Sequence, residues 1–188
     1  MTDEMTRGRR RDAQRNEQVI LDAAAAVFVE SGVQAPVRAV AERAGVGMGT
    51  LYRHFPTRAD LVVAVYRHQV DAAAAAGPAL LRESPTPAAA LHAWVRLFVQ
   101  FLVTKHGLAD ALQGDTERSA ALHQLLTERL VPVCADLLAA AAPHGAHVDA
   151  YALLRGIGNL CIGGEAPGYD PERLAHLLVD GALASSPG

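Results

Sequence analysis

The sequence predicts an all-α fold, and three observations carry that prediction. Alanine, the strongest helix former, is abundant. Val, Ile and Thr do not fall into alternating runs. No Asn-Gly hairpin signal occurs. The 188 residues suffice for one domain, or two small ones sharing a core, without disulfide or metal staples. With 51% hydrophobic and 20% charged residues, the chain is not a disordered tail. Charge or proline interrupts every long apolar stretch, so no membrane span is expected. Met1 to Arg15 is charged and lacks the apolar stretch of a secretory signal. Cys134 and Cys161 lie far apart, which rules out a disulfide scaffold and makes a cytoplasmic location the default.

The first helix is expected from about Asp12 to Ser31. Val19, Ile20, Ala23, Ala24, Val27 and Phe28 fall on one face, and Gly32 ends it. A short helix follows from Val37 to Ala44, entered at Pro36 and broken by Gly45. A third begins near Gly47 and stops at about His54, because Pro56 cannot continue it. Thr57 caps the fourth, with the Asp60 carboxylate at its positive end. Gly77 and Pro78 are expected to stop that helix after Ala76, leaving 77–87 as a connector. Thr86-Pro87 opens a fifth helix that reaches about Lys105. A short helix is expected over Ala109 to Leu112. A long one follows from Glu117 to Ala142, with a kink at Pro132. Two more close the chain, Asp149 to Cys161 and, opened by Asp170-Pro171, a last one to about Ala184.

Charge is uneven. Met1 to Val70 holds ten Arg against eight acidic residues, a balance of +2; the rest holds seven basic and twelve acidic, −5, for a total of −3. Arg7, Arg9, Arg10, Arg11 and Arg15 crowd one stretch, expected as a flexible arm of the kind a phosphate backbone attracts. The informative segment is Val37 to Pro56, VRAVAERAGVGMGTLYRHFP, which has helix-turn-helix spacing. Ala41 is small where two helices would cross, and Gly45 stands where the turn needs positive φ. Val40, Ala44, Val46 and Leu51 join the two helices. The second of them exposes Met48, Thr50, Tyr52, Arg53 and His54, and a short exposed helix of this kind can enter the major groove.

Through the linked segments ILDAAAAVFVESG, AERAGV, GTLYRHF and RADL, residues 15–70 resemble the DNA-binding domain of TetR/AcrR-type transcriptional regulators. RGIGNLC and YDPERLAHLLVDG resemble the tail of one C-terminal subtype of that family. The resemblance implies a three-helix DNA-binding domain over residues 1–57 and a helical ligand-binding and dimerisation domain over 58–188. It implies a homodimer on a double-stranded operator, released when a small apolar effector binds. The alternative is a regulator without a small ligand, controlled by a protein partner. Carried over by position, the DNA-contacting set is Arg38, Gly47, Met48, Thr50, Leu51, Tyr52, His54 and Arg58. Arg58 stands where the family has a phosphate-binding lysine. Two departures matter: Ala35-Pro36 replaces the usual Thr or Ser before the second helix, and Met48 cannot donate a hydrogen bond, though it can touch a thymine methyl.

In the body, Trp94, Phe98, Phe101 and Leu102 form a stripe that Leu122, Leu126 and Leu130 are expected to face, walling an apolar pocket. His92, His106 and His123 are the polar candidates near it, and Arg155 is expected to reach a partner's carboxylate or solvent. Leu153, Ile157, Leu160, Leu174, Leu177 and Leu178 are the expected dimer face, two helices from each subunit. No G-x-S-x-G, P-loop or paired-carboxylate signature points to an enzyme, and no cofactor or metal is expected; His144-x-x-His147 lacks a third ligand.

Overall fold

The computed structural model of the chain describes residues 2–105, 115–162 and 167–184, and within them the side chains of 15–102, 115–162 and 167–184. Eight helices and no strand occur among the described residues. They are α1 (Thr2–Ser31), α2 (Val37–Ala44), α3 (Met48–His54), α4 (Arg58–Glu83), α5 (Pro87–Lys105), α6 (Thr116–Ala141), α7 (Ala150–Leu160) and α8 (Pro171–Leu183). The expected short helix over 109–112 lies outside the described residues.

Helix ends follow the predicted chemistry. Gly32 and Gly45 take φ of 75° and 67°, and the Gly45 turn lets Val46 N–H return to the Ala41 carbonyl at 3.0 Å. Thr57 and Asp60 form a reciprocal capping box on α4. Thr86 Oγ1 accepts from Ala89 N–H, and Asp170 accepts from Arg173 N–H ahead of Pro171. Asp115 caps α6 and Asp149 caps α7 in the same way.

Two expectations are corrected. First, α1 starts at Thr2, so the arginine run continues a helix and is not a flexible arm. No proline interrupts 2–31, so the backbone carries the helix through the arginine run. Second, α4 runs through Gly77-Pro78 to Glu83. Pro78 lies on the exposed side of the helix, where the carbonyl it leaves without a donor stays open to water. The opposite face is held by packing: a Cβ on buried Gly77 would stand 2.3 Å from Val133 Cγ1 of α6. The helix continues on this packed face despite the roughly 3 kcal/mol penalty of an internal proline.

One apolar cluster runs from Ile20 in α1 to Ala182 in α8. In the N-terminal part, α1 packs on α2 and α4, and α2 on α3. Beyond it, α4, α5 and α6 pack on one another, while α7 and α8 pack together against α6 and α5. Trp94 is fully buried, yet its indole N–H is satisfied by the Ala73 carbonyl at 2.8 Å. Tyr66 of α4 donates to the Leu122 carbonyl of α6 and packs its ring 4.9 Å from Phe101. Arg129 joins α6 to Asp71 of α4 at 2.8 Å. Through these bonds α4, about 39 Å long, connects the N-terminal helices to the rest.

Candidate nucleic-acid interface and cavity

Helix α3 is only seven residues long, and its two faces differ sharply. Leu51 is 1% exposed and plugs α3 onto the core. It therefore anchors the helix and cannot reach a base, which corrects its place in the expected contact set. Met48, Gly49, Tyr52 and Arg53 lie outward, at i, i+1, i+4 and i+5, so they share one face. Tyr52 is 47% exposed. Thr50 and His54 are half-buried on the flank, and Gly47 is the exposed N-cap. Arg38 is exposed on α2 and bonds Glu42 one turn along at 2.8 Å. An exposed pair of this kind holds weakly, so Arg38 can exchange Glu42 for another anion. Arg53 meets no carboxylate among the described residues.

Arg58 is occupied elsewhere than expected. Its guanidinium turns inward across the loop between α1 and α2 and donates to the carbonyls of Val33 and Ala35, the latter at 2.8 Å. Its Nε is buried without a partner. The side chain thus ties the start of α4 to the loop that enters α2, at the Ala35-Pro36 departure. With those carbonyls as its partners it is a positioning residue, and Arg53 is the cation of α3 without a carboxylate among the described residues.

In the body a cavity of about 270 Å³ opens among α5, α6 and α7. Of the expected lining, Phe98, Leu102 and Leu126 are present. Trp94, Phe101, Leu122 and Leu130 are not; all four are buried in the core behind it. Trp94 stacks on Phe98 with centroids 5.9 Å apart and rings 3° from parallel, so it backs the wall without forming it. The rest of the lining includes His123, Thr127 and Val131 of α6 and Tyr151, Leu154, Arg155, Gly158 and Asn159 of α7, with Cys161 and Ile162 just beyond. The signal was legible: Tyr151, Arg155 and Gly158 repeat at helical spacing along α7, beside its apolar face, and Ile162 continues the series just beyond it.

The other candidates separate. His92 bonds His176 at 2.8 Å and Asp180 at 3.0 Å, between α5 and α8. His123 lines the cavity, and His106 lies outside the described residues. His147 bonds the Ala184 carbonyl at 2.5 Å. No group of three or more His, Cys, Asp or Glu arranged for a metal occurs among the described residues. Burial pushes the Cys134 thiol up to about 12 and raises that of Cys161. Leu153 and Ile157 are fully enclosed in the chain's own core, which removes them from the expected dimer face. Leu160, Leu174 and Leu178 remain half-buried, and Leu177 is 56% exposed. Gly156 serves packing within the chain, because a Cβ there would meet Leu178 Cδ2 at 2.9 Å. No helix among the described residues is long and apolar enough to cross a membrane.

Comparisons with known proteins agree with this geometry. Residues 20–65 match the bacterial regulatory proteins of the tetR family, and residues 86–182 match the transcriptional regulator SbtR-like C-terminal domain. The crystal structure of the TetR transcriptional regulator SCO0520 from Streptomyces coelicolor is 35% identical, with a TM-score of 0.70 over 90% of this chain and 99% of that one. An HTH-type transcriptional regulator of Staphylococcus aureus (strain USA300) is 41% identical over 63 residues, 33% of this chain and 34% of its own length. The chain thus spans about a third of the curated relatives it matches. The TetR-like regulator LfrR from Mycobacterium smegmatis, crystallised with proflavine, shares the fold at 21% identity, with a TM-score of 0.58 over 92% of this chain and 98% of that one. These proteins are regulators and not enzymes. The outward face of α3, the turn at Gly45 and the helical body behind them are accordingly those of a member of the TetR family, and the chain is a DNA-binding transcriptional regulator.

Proposed function

We propose that the chain is a ligand-responsive repressor that leaves its operator when a small molecule fills the cavity. The observation that supports this reading is the cavity itself, set against α5 and α6, the helices on which α4 packs. Residues 1–57 form the DNA-reading part and 58–188 the sensing and dimerising part. Met48 and Tyr52 face the major groove, Gly47 and Gly49 let the backbone approach closely, and Arg53, Thr50, His54 and Arg38 reach the flanking phosphates. Arg58 holds the loop before α2 in place for them. Leu160, Leu174, Leu177 and Leu178 form the face shared by two copies, so that two α3 helices read half-sites one or more turns apart, about 34 Å or a multiple. LfrR carries proflavine on the same fold, and by analogy the cavity here is the effector site. The effector acts by binding more tightly to dimers whose half-site spacing no longer fits.

The test is fluorescence anisotropy of the purified protein against DNA from just upstream of its own gene, with an unrelated duplex of equal length, over a salt series. Binding well above the control with a steep salt slope is expected. Equal weak binding to both places the operator elsewhere. Absence of binding to either duplex at low salt overturns the reading.

A further inference from the structure

The cavity has a chemical asymmetry that narrows its ligand. No Asp or Glu is among the described residues that line it, whereas Arg155 is. Arg38, Arg43, Arg96, Arg118 and Arg129 each meet a carboxylate. Arg155 meets none among the described residues. Asn159, one turn further along α7, also lines the cavity and has no side-chain hydrogen bond there. Phe98, Leu102 and Leu126 supply the apolar wall. An unpaired guanidinium beside low-dielectric walls attracts an anion, and its planar fork matches a carboxylate. Arg155 and Asn159 are exposed at the mouth of the cavity, so water solvates the guanidinium beside a neutral guest, whereas a cation would be repelled and a carboxylate gains an ion pair there. Size bounds the rest: a cavity of roughly 150 Å³ holds benzene, and this one, at about 270 Å³, is nearly twice as large.

We infer that the cavity takes a small amphipathic carboxylate, its headgroup on Arg155 and Asn159 and an apolar body of on the order of ten carbons against Phe98, Leu102 and Leu126. This rests on the proposed reading of the cavity as the effector site and replaces the purely apolar ligand expected from the sequence.

The test uses three probes of one chain length: decanoate, decanol and decyltrimethylammonium. The chain's single tryptophan, Trp94, is stacked on Phe98 and reports occupancy by its fluorescence. Decanoate is expected to bind roughly two- to fivefold more tightly than decanol, the worth of an ion pair on an exposed guanidinium. Arg155→Gln is expected to remove that advantage and leave decanol unchanged, with the oligomeric state confirmed by light scattering. Gly158→Leu, which grows into open space at the cavity with Arg155 intact, is expected to abolish decanoate binding as well. Equal or tighter binding of decanol, unchanged decanoate binding in Arg155→Gln, or no binding of any probe overturns the inference. If decanol alone binds and releases the DNA, the carboxylate inference fails while the effector reading stands. If decanoate binds as expected but leaves DNA affinity unchanged, the effector reading fails while the site stands.

Discussion

Arg58 and Arg53 lie five residues apart, and the proposed reading gives them opposite duties. Replacing Arg58 with Met keeps the stem and removes the two donors that hold the Val33 and Ala35 carbonyls. Hydrogen bonds to a charged group contribute about 1.5–3 kcal/mol each. The side chain is partly buried, so water recovers only part of that, and a net loss of about 1–3 kcal/mol follows. For a protein of this length the melting temperature should fall by roughly 2–12 °C. Affinity for DNA should fall too, because the loop entering α2 is no longer fixed. It should fall by a similar factor at every salt concentration, since no phosphate contact is lost.

Arg53→Met should behave in the opposite way. Its guanidinium holds no structure together among the described residues, so the melting temperature should stay put. Losing one phosphate contact lowers the slope of log K against log salt by about 0.9. Between 50 and 200 mM salt the variant and the parent should then diverge by about threefold. Anisotropy titrations across that range, with a thermal melt of each variant, separate the cases. If Arg58→Met shows the lower slope with an unchanged melt, the guanidinium sits on a phosphate, and the positioning role derived from its carbonyl partners is wrong.

Three further predictions concern the body. Gly77→Ala gains helix propensity of about 0.8–1.0 kcal/mol but drives its Cβ to 2.3 Å from Val133 Cγ1, at an overpacking cost of about 1–3 kcal/mol. Urea denaturation should show a net loss that Val133→Ala in the same chain largely restores, and a stabilised single variant would contradict the close approach. Gly158→Ala adds its Cβ where no atom lies within 4 Å, so the propensity gain of about 0.8–1.0 kcal/mol should appear as a melting temperature about 2–4 °C higher. Cys134 should resist iodoacetamide at pH 8 until denaturant is added, as mass spectrometry would read it. Its folded thiol titrates near 12 against an ordinary value of 9.0, so the folded state binds more protons in that window. Stability should therefore fall as pH rises from 9 towards 12, and Cys134→Ala should flatten the fall.

Local chemistry was legible in the sequence wherever one residue settles the matter. Gly32 and Gly45 end helices because the chain there needs positive φ. Thr57 with Asp60, Thr86 with Pro87 and Asp170 with Pro171 start them because each cap is satisfied within a few residues. What the sequence withheld depends on partners distant along the chain. Nothing in Gly77-Pro78 tells that Val133 packs against it and carries α4 through. Nothing at Arg58 tells that two carbonyls in the 32–36 loop are within its reach. The cavity was misplaced for a related reason. A stripe of large apolar residues such as Trp94 and Phe101 is what fills a core to crystal-like density, so it marks packing before it marks space. The open side came from the mixed face of α7, where Gly158 leaves room and Arg155 supplies charge.

The same packing provides a mechanical link between cavity and DNA. Phe98 lines the cavity, and Trp94 stacks on its buried side. The Trp94 indole N–H then holds the Ala73 carbonyl of α4, fifteen residues from Arg58, or about 23 Å along the helix. On the proposed reading, a ligand that displaces Phe98 would pull on α4 through that one hydrogen bond, and α4 begins beside the loop that sets α2. Trp94→Phe keeps the ring and removes the bond. The hydrogen bond contributes about 0.5–1.5 kcal/mol, so the variant should lower the coupling between ligand and DNA by roughly two- to twelvefold. Affinity for DNA without ligand and for decanoate without DNA should change much less, because neither surface is touched. The measurement is the ratio of DNA dissociation constants with and without saturating decanoate, in parent and variant. An unchanged ratio would show that the signal reaches α4 by another route, through Tyr66 and Arg129 on α6, and that the indole bond serves stability alone.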